Sequence, residues 1–152
     1  MVDAYCDFSD LTDFQKNLLA KVKDEFPKET KDFLQAEAKK LQKIAVSTAK
    51  TLVKTKTGNY LNGYKTGGKG KKRGGFRIGN VYQYGGSLSS DTCIRVYNNA
   101  HHAHLIETGH KTQNGGYVQG KHVLETSEKQ FMPDFTKDCA DFLEDFTGLV
   151  TK

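Results

Sequence analysis

The chain has 152 residues, of which 36% are hydrophobic and 27% are charged, and its formal net charge is +5. This length suits one domain. The three cysteines are an odd number and lie far apart in the sequence, which argues against a disulfide framework. No apolar run approaches the ~20 residues that span a bilayer. The charge is polarised: the 53 positions 38–90 hold no acid and carry +12, which leaves −7 for the remainder and indicates a polyanion, an acidic protein surface or a second copy as partner.

The N-terminal segment 9–53 is predicted to be helical. Ser9 or Asp10 can cap a first helix, whose apolar positions recur at helical spacing: Leu11, Phe14, Leu18, Leu19 and Val22. Pro27 is well placed in the first turn of a second helix, predicted from Glu29 to Val53. Its apolar stripe comprises Leu34, Ala38, Leu41, Ala45, Thr48 and Leu52, and its opposite face carries Lys39, Lys40, Lys43 and Lys50.

A small sheet is predicted within residues 59–98. The segments 59–65, 76–84 and 92–98 combine aromatic and β-branched residues and are bounded by glycines. In the last of them, Ile94, Val96 and Asn98 alternate with more polar neighbours, which predicts one apolar face. The intervening loop 66–75 contains five glycines and four cations, so we expect a mobile arm without packed structure.

Residues 100–107 are predicted to form a short helix, 108–120 a second flexible loop, and 121–149 a C-terminal helix. Pro133 should kink or divide that helix, and its exposed face is acidic. Its acids are Asp134, Asp138, Asp141, Glu144 and Asp145. The order of elements predicts a single α+β domain in which a small antiparallel sheet packs against the long and C-terminal helices, with two long flexible loops.

The candidates for site chemistry give a weak case for catalysis. His101, His102, His104 and His110 lie close in sequence, but a polar surface helix explains them better than a zinc or general-base site. Cys93 and Cys139 lack an activating partner nearby in sequence. We therefore predict no enzyme activity, no catalytic residue, no metal and no cofactor.

The basic loop is the main candidate for a contact site. Glycine lets backbone N–H groups approach phosphates while the cations supply charge, and the cations are Lys69, Lys71, Lys72 and Arg73. Contact with nucleic acid, contact with an acidic protein and a simply solvated hairpin tip remain open on these residues alone.

Three segments in a fixed order resemble a known family. The long helix ends in Thr57-Gly58-Asn59-Tyr60-Leu61, the last strand leads into an Asn-x-x-x-Ala-x-x-x-Glu-x-Gly segment from Asn99 to Gly109, and Gly120-Lys121-His122-Val123-Leu124 opens the final helix. This order resembles the tail-completion, or minor tail-component, proteins of tailed bacteriophages, over about residues 30–146.

The resemblance implies a structural virion protein without catalysis. Such subunits form a ring, commonly a hexamer, that caps the tail tube protein and joins it to the head–tail connector or stopper protein, while phage DNA passes through the channel. The implied location is the neck of the virion, after assembly in the host cytoplasm, with no membrane contact.

The resemblance also assigns roles to individual residues. The structural motif positions are Gly58, Leu61, Asn98, Glu107 and Gly109. The residues of the second loop expected to dock on a partner are His110, Lys111 and Tyr117.

The alternative function is a stand-alone basic nucleic-acid-binding protein, and a histidine-dependent nuclease using His102 or His104 is a distant third.

Overall fold

The computed structural model describes residues 16, 19, 21–54, 58–65, 72–84 and 91–150. A π-helical turn, Lys21–Glu25, leads into helix α1 (Phe26–Leu52). Three further helices follow along the chain: α2 (Asn59–Asn62), α3 (Ala103–Thr108) and α4 (Val123–Val150). Short strands separate them, so the predicted α+β class is confirmed.

The strands form two-stranded antiparallel ladders rather than one continuous sheet. Their bounds are β1 (Tyr64–Lys65), β2 (Lys72–Arg73), β3 (Phe76–Ile78), β4 (Tyr82–Tyr84), β5 (Asp91–Cys93), β6 (Val96–Asn98), β7 (Gly109–Lys111) and β8 (Tyr117–Gln119). The pairs are β1 with β2, β3 with β6, β4 with β5, and β7 with β8.

The two predicted strands 76–84 and 92–98 do pair with each other, but each is interrupted. Ile78 pairs with Val96 and Tyr82 pairs with Cys93, so three residues on one strand face two on the other. The Gly79 N–H donates to the Arg95 carbonyl at 2.8 Å within this interval. An unequal count of this kind is a β-bulge, which bends and twists the ladder. The predicted alternation is confirmed over residues 94–98, because Arg95 and Tyr97 are exposed whereas Ile94, Val96 and Asn98 are half-buried. It does not extend to Cys93, which belongs to the predicted polar face and is half-buried.

Helix α1 has the predicted apolar stripe, with small residues at its most buried positions. Ala38, Ala45, Thr48 and Ala49 are buried, whereas Leu34 and Leu41 are half-buried and Leu52 is exposed at the helix end. Small side chains let the neighbouring elements approach the helix backbone closely. Pro27 lies in the first turn as predicted.

Helices α1 and α4 run antiparallel and are joined by phenylalanine rings. The Phe26 ring packs against Phe142 and Phe146, with ring centroids 6.1 and 4.8 Å away. The Phe33 ring stacks on Phe142 and Phe135, at 4.7 and 6.2 Å. Partner numbers fall along α4 as they rise along α1, which defines the antiparallel direction.

One lysine ties the same two helices together through charge. The Lys40 ammonium lies 2.6 Å from the Asp138 carboxylate and 2.7 Å from the Glu37 carboxylate. These hydrogen bonds, that to Asp138 first, raise the pKa of Lys40 above its ordinary value. Because the lysine is exposed, the pair fixes the relative position of the helices more than it stabilises them.

Of the two predicted effects of Pro133, a kink or a division of the C-terminal helix, division is excluded. Helix α4 continues from Val123 to Val150 with Pro133 inside it. Proline removes one backbone hydrogen bond and crowds the preceding turn, but Pro133 is on the exposed side. Phe131 and Phe135, two residues before and after it, stack on each other at 5.2 Å, and Phe131 is buried while Phe135 packs on Phe33.

The core lies where α1 meets the β3–β6 ladder and the starts of α2, α3 and α4. Its buried members are Ala45, Ala49, Tyr60, Phe76, Ala100, Ala103 and Val123. Four of these seven residues are alanines and one is a valine, so the described core is small. Large apolar side chains remain exposed elsewhere, among them Tyr117 at 64% and Leu143 at 51%.

Three predicted segments differ from the structure. Residues 59–65, predicted as a strand, form helix α2 and only then strand β1, because Gly58 in the left-handed conformation starts a helical turn (φ 68°). The predicted flexible loop 108–120 is a hairpin of β7 and β8. Part of the loop 66–75 is also structured: Lys72–Arg73 pair with Tyr64–Lys65, and Gly74 and Gly75 are buried.

The predicted first helix lies largely outside the described residues, which include neither its capping candidates Ser9 and Asp10 nor Leu11, Phe14 and Leu18. Of its apolar positions, Leu19 and Val22 are described, and both are exposed. No described helix combines the length and apolar character needed to cross a membrane.

We expect Phe33→Ala to lower the free energy of unfolding by about 2–3 kcal/mol, because it removes a half-buried ring that stacks on two partners. Urea denaturation measures this change. Leu143→Ala, at an exposed position of α4, is the control and should change stability by less than about 0.5 kcal/mol. Equal effects of the two substitutions would contradict the assigned helix interface.

Candidate functional site

The three sequence segments that carry the family resemblance meet at the carboxylate of Glu107. The Tyr60 hydroxyl, which follows the Gly58 turn, donates to Glu107 Oε1 at 2.8 Å. The Leu124 backbone N–H, in the first turn of α4, donates to Glu107 Oε2 at 3.2 Å. One side chain at the end of α3 therefore joins α2 to the start of the C-terminal helix. We call Glu107, Tyr60, Asn98 and the Leu124 N–H the Glu107 joint.

Asn98 connects the end of β6 to the same turn. Its side-chain N–H donates to the Tyr60 carbonyl at 2.9 Å, and its side-chain oxygen accepts the Ala100 N–H at 2.9 Å. The amide thus stops the strand, as predicted, and at the same time holds α2 in place. Gly58 begins that turn by accepting the Leu61 and Asn62 N–H groups at 3.1 and 2.8 Å.

The buried residue of the first motif is Tyr60 rather than Leu61. Tyr60 is 1% exposed, and its ring meets Phe76 edge-on at 5.4 Å. Leu61 is half-buried against the core, so its predicted inward direction is confirmed only in part. Sequence reasoning missed Tyr60 because a strand would turn alternate residues inward, whereas the helical turn of α2 rotates Tyr60 into the core. The glycine immediately before Asn59 was the available signal for such a turn.

The environment of Tyr60 keeps its hydroxyl protonated. Burial, followed by the hydrogen bond to Glu107 and the negative charge of that carboxylate, raises the pKa of Tyr60 well above its ordinary value. A neutral phenol is the form that can donate to Glu107. The Tyr60–Glu107 contact of the joint is therefore a hydrogen bond from a neutral donor to a carboxylate, a strong type of bond.

Gly109 closes the base of the β7–β8 hairpin beside the joint. Its φ is +81°, and a Cβ there would overlap the Val118 carbonyl and lie 2.7 Å from the Gly120 nitrogen. The Lys121 N–H donates to the Ile106 carbonyl at 2.6 Å directly after the hairpin. A residue with a side chain could not bring the two strands this close to α3.

The hairpin itself projects from the joint with little cover. Residues 111–119 are all exposed, including Tyr117 at 64% and Val118 at 44%. The turn is closed by the Thr112 N–H donating to the Gly116 carbonyl at 2.8 Å, and Gly115 supplies a positive φ. The predicted docking residues Lys111 and Tyr117 thus belong to an ordered, exposed hairpin.

His110, the third predicted docking residue, is half-buried at the hairpin base. Its Nδ1 is buried and has no hydrogen-bond partner among the described residues. Nearby, the Tyr117 hydroxyl donates to the Thr108 carbonyl at 2.9 Å, which connects strand β8 to the end of α3.

The predicted basic contact loop is described only in part. Lys69 and Lys71 lie outside the described residues, whereas Lys72 and Arg73 form strand β2 and pair with Lys65 and Tyr64. Two of the four predicted contact cations, Lys72 and Arg73, therefore lie next to each other on the β1–β2 ladder.

The histidines and cysteines do not form a cluster in the part of the chain that the structure describes. His101 and His104 are exposed, and the ring of half-buried His102 lies 6.4 Å from that of Tyr60. No group of three or more His, Cys, Asp or Glu side chains suited to a metal ion occurs among these residues. Cys93 and Cys139 are free thiols, and burial raises the pKa of Cys139.

The charge polarity of the sequence is displayed on the outer faces of the two long helices. Lys39, Lys43 and Lys50 are exposed on α1, and Asp134, Asp141, Glu144 and Asp145 are exposed on α4. A groove of about 330 Å³ lies between α1 and the β-bulge, with Lys31 and Lys39 on one wall and Ile78, Val81 and Ile94 on the other.

Comparisons of the chain with protein-family models, with curated proteins and with solved structures found no match.

We expect Glu107→Ala to lower the free energy of unfolding by about 2–3 kcal/mol, because it leaves the Tyr60 hydroxyl and the Leu124 N–H without their acceptor. Chemical denaturation measures the loss, and Glu107→Gln should recover part of it because one oxygen remains. Glu128→Ala, on the exposed side of α4, should stay within about 0.5 kcal/mol of the parent chain. A stable Glu107→Ala variant would show that the joint is dispensable.

The raised pKa of Tyr60 gives the stability a dependence on alkaline pH. The ordinary pKa is 10.0, so above that pH the unfolded chain loses the tyrosine proton whereas the folded chain keeps it. The stability from this difference is present below pH 10 and declines above it, by up to about 1.4 kcal/mol per pH unit. Unfolding of the parent chain and of Tyr60→Phe across this range should show a shallower decline for the variant; parallel curves would contradict the assignment.

Proposed function

We propose that the chain is a head–tail joining subunit of a tailed bacteriophage, a tail-completion or neck protein that acts by assembly rather than by catalysis. In this proposal, copies of the chain form a ring, cap the tail tube and attach it to the head connector, and phage DNA passes through the ring.

One observation carries the proposal. The three segments that resemble the tail-completion family are far apart in sequence, yet the Tyr60 hydroxyl of the first and the Leu124 N–H of the third both donate to Glu107 of the second. A chance resemblance of three short motifs would not require them to share one joint. Their convergence supports treating the motifs as one structural unit of this chain.

The surface of the chain supports an assembly role. The Glu107 joint anchors the exposed β7–β8 hairpin, which presents Tyr117 and Val118 to solvent. Exposed aromatic and aliphatic side chains on an ordered projection are typical of an interface anchor. The small described core and the other exposed apolar side chains are consistent with burial completed by neighbouring subunits.

The alternative is a stand-alone nucleic-acid-binding protein that uses the basic loop. It predicts micromolar binding of duplex DNA with a steep salt dependence, and loss of that binding when Lys69, Lys71, Lys72 and Arg73 are changed to Ala. A ring through which DNA slides predicts weak binding by the same chain and no dependence on those four positions.

The proposal is tested in particles of the phage that encodes the chain. Particles made without the protein should contain unjoined heads and tails by electron microscopy, and the supplied parent chain should restore joining. Supplying Tyr117→Ala with Val118→Asp should reduce the joined fraction about tenfold or more, because loss of an interface anchor has a cost of that size.

The matched control for that variant is Met132→Ala with Leu143→Ala, which removes exposed apolar area from α4 instead of the hairpin. Circular dichroism establishes that both double variants are folded. Normal joining in the absence of the protein would refute the proposed function. Normal joining with the hairpin variant alone would refute only the role of the hairpin.

A further inference from the structure

The outer face of α1 carries three exposed lysines on one stripe. Lys39, Lys43 and Lys50 are separated by four and then seven residues, a spacing that places them on the same side of a helix. From Lys39 to Lys50 there is no acid, and Ser47, an exposed small residue, lies beside the stripe. The stripe is thus uniformly basic and open to close approach. We call it the lysine stripe.

The outer face of α4 carries a matching acidic stripe. Asp134, Asp141 and Asp145 are exposed and separated by seven and then four residues. The interval from Asp134 to Asp145 holds five acids and one base, Lys137, so it is acidic overall. We call Asp134, Asp141 and Asp145 the aspartate stripe.

The two stripes do not meet within one chain. The α1–α4 contact is made by phenylalanine rings, and its ion pair is Lys40 with Asp138. No ion pair joins either stripe to another residue within the part of the chain that the structure describes. Both stripes are therefore available to a neighbouring molecule.

The spacings fit one another when the helices are antiparallel. With Lys50 opposite Asp134, a step of seven residues places Lys43 opposite Asp141, and a further step of four places Lys39 opposite Asp145. Each step has the same length on both helices, roughly 10 Å and then 6 Å at ~1.5 Å per residue. All three opposite charges are paired in this single register.

A parallel alignment fits less well. With Lys39 opposite Asp134, it would place Lys43 opposite Asp138, whose carboxylate already binds Lys40 at 2.6 Å. The antiparallel alignment leaves that intramolecular pair intact. Antiparallel helices also bring opposite ends of their macrodipoles together, which is favourable.

We propose that the lysine stripe on α1 of one copy docks antiparallel on the aspartate stripe on α4 of a second copy. Each chain carries both stripes, on different helices, so the contact joins two different surfaces and every copy can bind a further copy. Such a heterologous contact forms a closed ring when the rotation from one copy to the next adds up to a full turn. As part of a ring, this inference rests on the proposed function. Exposed ion pairs contribute little energy individually, so the stripes set partner orientation and register while apolar contacts elsewhere add affinity.

Charge reversal tests the register directly. One variant combines Lys39→Glu, Lys43→Glu and Lys50→Glu, and a second combines Asp134→Lys, Asp141→Lys and Asp145→Lys. Each variant alone opposes like charges, so its self-association constant, measured by sedimentation velocity at low salt, should weaken about tenfold or more. An equimolar mixture of the two should regain parent-like association, because each contact is again between opposite charges.

The chain with all six reversals is the strongest arm of the test. It has the net charge of the parent chain and the same numbers of acidic and basic residues, and it should associate like the parent chain. An effect of net charge alone would also be reversed in this variant, so a control must change the net charge by the same amount as the lysine-stripe variant without touching the stripe. The control is Lys23→Glu with Lys54→Glu and Lys121→Glu, three exposed lysines that face no acid in this register. It should associate like the parent chain, and thermal melting should show all variants folded.

The inference is overturned if the parent chain remains monomeric at near-millimolar concentration in low salt, or if neither the mixture nor the six-fold variant recovers association. It is distinguishable from the proposed function. Normal head–tail joining by both single-stripe variants would overturn the register and leave the proposed function intact. Rescue by charge exchange, together with normal joining in particles lacking the protein, would sustain the register and refute the proposed function.

Discussion

The structure depends on one half-buried, hydrogen-bonded carboxylate, that of Glu107. It accepts the Tyr60 hydroxyl through one oxygen and the Leu124 N–H through the other, so the turn after the long helix and the start of the C-terminal helix are fixed to the same side chain. A buried tyrosine hydroxyl and a helix N-terminal N–H both need an acceptor. Here the two needs are met together, and this sets where α2, α3 and α4 meet.

The remaining architecture is organised around that joint. The antiparallel pair of long helices is held by phenylalanine rings along its length and reaches the joint at the start of α4. The paired strands lie against α1, where the Gln42 amide donates to the Phe76 carbonyl at 2.8 Å. The β7–β8 hairpin leaves the joint through Gly109 and is otherwise exposed. A hydrogen-bonded base with a projecting hairpin and charged outer helix faces is an arrangement suited to assembly.

The polarity of charge acquires a structural meaning in this arrangement. In the sequence, an acid-free interval and an acidic C-terminal segment are consistent with a polyanion, an acidic partner or self-association. In the fold, the lysines and aspartates occupy the outer faces of neighbouring antiparallel helices, and Lys40 with Asp138 is the pair that connects them internally. The remaining charges are exposed at matching intervals, and this is the basis on which a second copy is proposed as partner.

The sequence alone determined the two long helices, the class of fold and the regions of charge, because these follow from local periodicity and composition. The stripe of α1, the phenylalanines of α4 and the pairing segments 76–84 and 92–98 were all predictable for this reason. The tertiary structure decided the rest. The turn at Gly58 rotates Tyr60 into the core. Helix α4 continues past Pro133, with Phe131 and Phe135 packed on either side of it. At Gly109 the strands come close enough to form a hairpin where composition predicted a flexible loop. Each depends on contacts between residues distant in sequence. The same holds for Glu107, whose motif position was visible in the sequence but whose two donors lie 47 and 17 residues away and meet it only in the folded chain.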